Sequence, residues 1–477
     1  MAKRLVFIDV AKGCAILGVI LVHALIVGVW FVPANAIKVL PTYALAILSP
    51  LVIISTWAGF FELMSGLANS YNLYDKLVVK EMSFKKASQG ALVNSTGLLL
   101  VHFIFIFFLS HRRNPPYPAV GTGASSTGEI HTLITGSFET GRLYLTDYQY
   151  YFFASVLGSI ALAGYFSILT FYVVYKTIGL EKINRVVILL TGIMVAFFTI
   201  SYPVWDAGYS FLNFALNEGG FWLVLAFPLA PFTGAFQPFF PIAGFSILGA
   251  CIGLLLSVRS HKVENPEFYV DEKNMDVHQY INRVSAIAFV AFIALLIHAL
   301  MTLDDPLSLL NFYRLPPTLL ALNVSLMVLV FKAGIKIFED PDEEVRSRRA
   351  EKSLWIRKFG MITLTVYVLE SPVNGILAFF YHRMVDNPAT DVMESQVLFL
   401  PIILYTVFVI GFWFFIVGVW EKLDFKYTIE YWVIRFGQRF RETKSMKLDI
   451  TKVLYDPLGR LKKKPTLVTP INPPIQK

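Results

Sequence analysis

Apolar residues along this chain gather in blocks of about twenty, much longer than the runs that build a soluble core. They lie near 13–33, 43–66, 88–109, 148–175, 185–204, 234–257, 282–302, 316–336, 359–380 and 397–419. At a rise of about 1.5 Å per residue each block is long enough to cross a hydrocarbon layer of about 30 Å as a helix. The pattern predicts an all-α fold, a polytopic integral membrane bundle of about ten transmembrane helices. An even number of crossings returns the chain to the side on which it began. The block 219–232, rich in Phe, Leu and Pro, is too short to cross and reads as a re-entrant or interfacial piece.

The polar segments between the blocks carry the topology. Basic residues are retained on the cytoplasmic side during insertion. Of the 41 Lys and Arg residues, only Lys38, Arg112, Arg113, Arg142, Arg314 and Arg383 fall in one alternate set of connections. All the others fall in the set containing both termini, which predicts cytoplasmic N- and C-termini in a cell membrane. Composition agrees: 56% of residues are hydrophobic and 16% charged, against about 25% charged in soluble domains. The net charge of +8 is therefore read as topology, and no nucleic-acid partner is expected. Membrane lipids are the expected surroundings. Cys14 and Cys251 both lie in apolar blocks, so neither a disulfide framework nor a metal centre is expected.

Four segments depart from the pattern. Lys3, Arg4 and the apolar run after them superficially resemble a signal peptide, but Asp9, Lys12 and His23 interrupt that run, which favours a retained first helix. The connection 110–147, rich in Gly, Ser, Thr and Pro, reads either as a functional loop or as a spacer. After a transmembrane domain over 1–425, residues 426–443 mix Tyr427, Tyr431, Trp432, Phe436 and Phe440 with Arg435, Arg439 and Arg441, as an interfacial amphipathic helix does. The basic stretch 444–477 reads as a disordered cytoplasmic tail.

Ionisable groups within apolar spans cost about 2.5–3.5 kcal/mol each at the helix centre on insertion scales, so the few present are informative. The first span carries Asp9, Lys12 and His23 in IDVAKGCAILGVILVH. Eleven residues at about 100° each bring Lys12 and His23 onto one helix face, roughly 16 Å apart along the axis. Lys12 reads either as one half of an i,i+3 pair with Asp9, snorkelling to the headgroups, or as an anion-binding cation. His23, near mid-span, reads as a proton-transferring imidazole or as a hydrogen-bonded structural residue. Glu62 falls near the inner end of the second span, and Glu370 near the middle of the ninth, two residues before Pro372. Depth puts His23 and Glu370 in one layer, where a His–carboxylate pair is geometrically possible.

The first-span string resembles the acyltransferase-3 family of transmembrane acyltransferases, whose first helix carries a basic residue, then a small residue, and a His eleven positions after the basic one. Lys12, Gly13 and His23 occupy those places, with Lys where the family usually has Arg. FFELMSGLANSYNLY, FQPFFPIAGFSILGACIGLLL and FGMITLTVYVLESPV are similar to strings of the heparan-alpha-glucosaminide N-acetyltransferase-like branch, with Glu370 standing where a His is common. KYTIEYWVIRFG is similar to a string that follows the last span in a related branch. The resemblance implies transfer of an acyl group, commonly acetyl, from cytoplasmic acyl-CoA to a sugar or glycolipid acceptor near the opposite face. It implies a site on the first, second and ninth helices, with His23, Glu370 and Glu62 catalytic and with Lys12, Lys85 and Lys86 favouring the CoA phosphates. Positive-inside topology accounts for the same lysines without a ligand. The alternative is a proton-coupled transporter or lipid-linked-sugar translocase, in which the same three residues relay protons.

Overall fold

A computed structural model describes residues 4–29, 57–109, 133–144, 152–180, 182–264, 275–302, 315–384, 399–439 and 450–455. In chain order its helices are α1 (Val6–Val29), α2 (Ala58–Tyr74), α3 (Phe84–Ile104), α4 (Leu133–Thr140), α5 (Val156–Thr177) and α6 (Ile183–Glu218). The short α7 (Phe221–Ala226) and α8 (Ala230–Thr233) precede α9 (Phe239–Glu264), α10 (Val277–Thr302), α11 (Pro317–Phe338) and α12 (Glu343–Lys352). Then come α13 (Leu354–Met361), α14 (Thr363–Met384), α15 (Phe399–Lys422), α16 (Ile429–Gln438) and α17 (Ile450–Tyr455). Among the described residues, 8 helices are long and apolar enough to cross a membrane, or 9 when the bent pair α13–α14 counts as one. The expected second span, 43–66, lies largely outside the described residues, as do most of the 110–147 connection and most of the 444–477 tail.

The element boundaries differ from the sequence reading in four places. Helix α1 starts at Val6, so Asp9 and Lys12 belong to the helix itself. Residues 205–218, expected as a loop, continue α6 without a break past Pro203. Trp205, Leu212, Ala215 and Leu216 form a buried stripe there at helical spacing. The chain turns only at Gly219 and Gly220, at φ 72° and 55°, where a side chain would be strained. The segment after that turn folds back along α6, with Trp205 Nε1 donating to Gly234 O at 3.3 Å. Third, the ninth span is two helices meeting at 78°. Its break is at Ile362, not at Pro372, which lies inside α14. Last, residues 450–455 of the expected disordered stretch form α17, with Val453 and Leu454 buried. Arg357, 1% exposed, holds this helix by donating to Val453 O and Leu454 O at 3.0 Å.

Among the described residues two apolar cores are the largest. The larger surrounds α9, whose apolar window is 94% buried. Glycines set its contact with α2: a Cβ on Gly66 would stand 2.0 Å from Ser246 O, and one on Gly249 2.0 Å from Leu63 O. Such close backbone approach is the small-residue packing that associates helices in lipid. The smaller core joins Ile16, Ile20 and Ala24 of α1 to Phe359, Ile362 and Val366, and to Tyr405, Val409 and Trp413 of α15. Outside both, Ile429 and Val433 of α16 pack with Val101, Phe105 and Val368, while Trp432 and Phe436 stay exposed. The predicted amphipathic helix thus leans one face on the bundle.

Ion pairs gather four of the basic connections at one end. His261 and Lys80 both reach Asp75, Arg259 and His278 reach Asp340 at 3.0 and 2.9 Å, and Arg346 reaches Glu339 at 2.6 Å. Glu339 also accepts from the Phe7 backbone N–H at 3.0 Å, at the start of α1. Segments 1–13, 67–88, 258–283 and 332–358 therefore meet.

Candidate functional site

The site begins with a close crossing of α1 and α13. A Cβ on Gly13 would stand 2.0 Å from Ile356 O, and one on Gly360 2.0 Å from Asp9 O, so the two backbones touch. Charge fixes the same crossing. Arg4 donates to both oxygens of Asp9, at 2.8 and 2.9 Å, and Arg357 stands 4.0 Å from that carboxylate on the other side. From this anchor α1 runs along α14, with Ile16, Ile20 and Ala24 on the packed face. His23 follows Ile20 by three residues and Glu370 follows Val366 by four, so each lies on the face that already touches the other helix.

The two side chains meet. His23 Nδ1 lies 2.6 Å from Glu370 Oε2. Glu370 Oε1 accepts from Asn374 Nδ2, one turn further on the same face. The backbone carbonyl of Asn374 accepts from Tyr405 OH at 3.3 Å. Glu370 and Asn374 are 1% and 0% exposed, whereas the His23 side chain is 39% exposed. A buried carboxylate held on both oxygens thus fixes one edge of an accessible imidazole. With Nδ1–H donating to the carboxylate, Nε2 is the basic nitrogen.

The other residues singled out from the sequence are placed differently. Glu62 is 0% exposed in the larger core, against α9, and among the described residues neither of its oxygens has a partner of hydrogen-bond geometry. Because α2 continues to Tyr74, Glu62 is about 18 Å from the end of its helix rather than near it. No hydrogen bond or ion pair among the described residues joins it to the His23–Glu370 pair. Lys12 is half-buried on α1, under the influence of the Asp9 and Glu430 carboxylates. Lys85 and Lys86 are exposed in the first turn of α3.

Two partners escaped the sequence reading. Asn374 is itself a polar residue within a span, four residues after Glu370, and that spacing was the available signal. Glu430 acts at the bend: it accepts from Leu364 N, from Thr365 N at 3.1 Å and from Thr365 Oγ1, and so caps α14 from outside. Thr365 Oγ1 accepts from Ile429 N at 2.7 Å in return. Burial pushes the Glu430 carboxyl above the usual carboxylate range, and the donors from Thr365 and Leu364 pull it back. The α14 N-terminus is thereby held where Glu370 can meet His23.

The arrangement has the parts of a proton-transferring dyad: an accessible imidazole, a buried carboxylate that orients it, and a second hydrogen bond that orients the carboxylate. Groups of three or more His, Cys, Asp or Glu suited to a metal are absent among the described residues. Comparison of the chain with protein-family models, with curated proteins and with solved structures gives no match.

Proposed function

We propose that the protein is a membrane-bound acyltransferase that moves an acyl group, in the first instance acetyl, from cytoplasmic acyl-CoA to a hydroxyl or amine of a sugar or glycolipid acceptor. The observation that carries this reading is the His23–Glu370 contact with Asn374 behind it. His23 Nε2 takes the acceptor proton as the acceptor oxygen or nitrogen bonds to the thioester carbonyl carbon. Collapse of the tetrahedral intermediate breaks the carbon–sulfur bond, and the imidazolium returns its proton to the departing thiolate. Glu370 keeps Nδ1–H in place and offsets the positive charge that builds on the ring. Glu62 is no part of this chemistry.

The donor enters, on this reading, from the end where the basic connections gather, which the charge alternation makes cytoplasmic together with both termini. Lys12 on the His23 helix, and exposed Lys85 and Lys86 on α3, supply positive potential for the CoA phosphates. Lys in place of a planar, bidentate Arg at position 12 fits a point-charge contact. Incubating the purified protein with radiolabelled acetyl-CoA and a crude glycolipid extract tests this. Label should pass to the lipid fraction; label that stays on CoA, with no transfer or hydrolysis, would reject the reading.

One observation favours a transporter or lipid-linked-sugar translocase: the 78° break beside the dyad, since broken helices line substrate paths in many transporters. In proteoliposomes that reading expects movement of sugar-lipid dependent on a proton gradient and indifferent to acyl-CoA.

A further inference from the structure

The cations at the end where the basic connections gather differ in their partners. Several have an acid: Arg4 pairs with Asp9, Lys80 with Asp75, Arg259 with Asp340, Arg346 with Glu339 and Lys358 with Glu421. Lys332 and Lys336 of α11 and Arg283 of α10 do not. Among the described residues no carboxylate forms an ion pair with any of the three.

Helices α10 and α11 pack side by side, joined at Ser285 and Ser325, whose hydroxyls are 3.0 Å apart. Nearer the basic end Lys332 Nζ crosses between them and donates to Asn282 Oδ1 at 2.5 Å. Lys336 follows Lys332 by one turn on the same face, and Arg283 is exposed next to Asn282. Both helices are apolar enough to span. Arg283 lies six residues from Val277 and Lys332 six from Phe338, so each is about 9 Å inside its helix. One to two turns deeper the same faces carry Leu329 on α11 and Ala286 and Phe289 on α10, all exposed.

Positive-inside topology accounts for lysines in the connections, whereas these cations stand within the spans themselves. A cation there is expensive without a counter-ion, and the Asn282 amide supplies a hydrogen bond but no charge. One hydrogen bond to Asn282 leaves the Lys332 ammonium two further donors. A ligand on this face meets ammonium groups at the helix ends and apolar side chains deeper in. That is the order of chemistry along a phospholipid, a phosphate followed by acyl chains. Basic sites between spans take anionic headgroups in this way, through charge-assisted hydrogen bonds.

We propose that the α10–α11 face at Asn282, Lys332 and Lys336 is a binding site for an anionic phospholipid. The headgroup phosphate sits on the two lysines, Asn282 orients the Lys332 ammonium toward it, and the acyl chains run along Leu329 and Phe289. The site is separate from the His23–Glu370 dyad and does not rest on acyl transfer.

Native mass spectrometry of the purified full chain in neutral detergent, titrated with phosphatidylglycerol, tests this. The first lipid bound should be held more tightly than phosphatidylcholine with the same acyl chains. Lys332→Gln with Lys336→Gln should weaken it about 30-fold, at about 5-fold for each lysine. Lys176→Gln with Lys182→Gln removes the same charge from exposed positions in another connection and should leave that affinity unchanged. Equal weakening by the two pairs, no weakening by the first, or equal affinity for phosphatidylcholine would each overturn the proposal. Inorganic phosphate competing with phosphatidylglycerol at equal concentration would make the ligand a soluble anion and would overturn it as well. If the double variant fails to fold, Lys336→Gln alone decides: an unchanged first-lipid affinity there would overturn the proposal.

Discussion

Glu370 and Glu62 are equally buried acids on apolar helices, at 1% and 0% exposure, yet their surroundings differ completely. Glu370 is held on both oxygens, by an imidazole and by an amide. Glu62 has neither kind of donor, and its neighbour Ser159 is turned to a backbone carbonyl. Burial alone therefore does not make a reactive site. The partner set decides: one carboxyl is held on both oxygens and orients a base, the other is not.

Removing the two acids should give opposite results. Glu370→Leu strands His23 and Asn374 and is expected to lower stability by about 3 kcal/mol, as loss of one member of a buried pair does. Glu62→Leu replaces an unsatisfied polar group by an apolar one of similar size and should be neutral or stabilising by about 1 kcal/mol. Denaturant unfolding in detergent measures both, and equal destabilisation would erase the distinction. The milder Glu370→Gln keeps the volume; it should cut turnover about 100-fold, whereas Glu62→Gln should leave turnover near the unsubstituted value.

A smaller effect tests how the dyad is positioned. Gly13→Ala pushes α1 from α13 at a backbone contact and should cost about 1–3 kcal/mol, as overpacking does. Turnover should fall with it, because His23 is carried on the displaced helix. Gly411→Ala, where a Cβ meets nothing within 4 Å, is the control and should change neither quantity.

The smallest effect concerns pH and Glu430. Its folded-state carboxyl is raised by burial, so the folded protein binds this proton more tightly than the unfolded chain. The resulting stability is fully present below the unfolded value, about 4.3, and is lost as pH rises through the raised folded value, by at most about 1.4 kcal/mol per pH unit. Glu430→Gln should flatten that part of the stability curve and retain acceptance from Thr365. A curve of unchanged slope would show that the carboxyl titrates as an ordinary one.

The sequence made the helices and the depth of the chemistry legible, because apolar length and buried charge are local signals. His23 and Glu370 share a layer by counting residues, and they do meet. Their contact was not legible, since it depends on Gly13 and Gly360 bringing two helices together from opposite ends of the chain. The break at Ile362 was hidden for the same reason: the capping carboxylate, Glu430, comes from a helix beyond the next span. Residues 205–218 were left outside the spans because the apolar block ends near 204, although Trp205, Leu212 and Leu216 keep helical spacing. Lys12, Lys85 and Lys86 were equally visible, but positive-inside topology places lysines there with or without a ligand.

The central claim is that His23 moves the proton in acyl transfer. Its most direct test is the rate of label transfer from acetyl-CoA by purified His23→Ala, compared with the unsubstituted protein at matched melting temperature. The account predicts a loss of about 10²–10⁴-fold in a folded protein; a folded variant transferring label at the unsubstituted rate would contradict it.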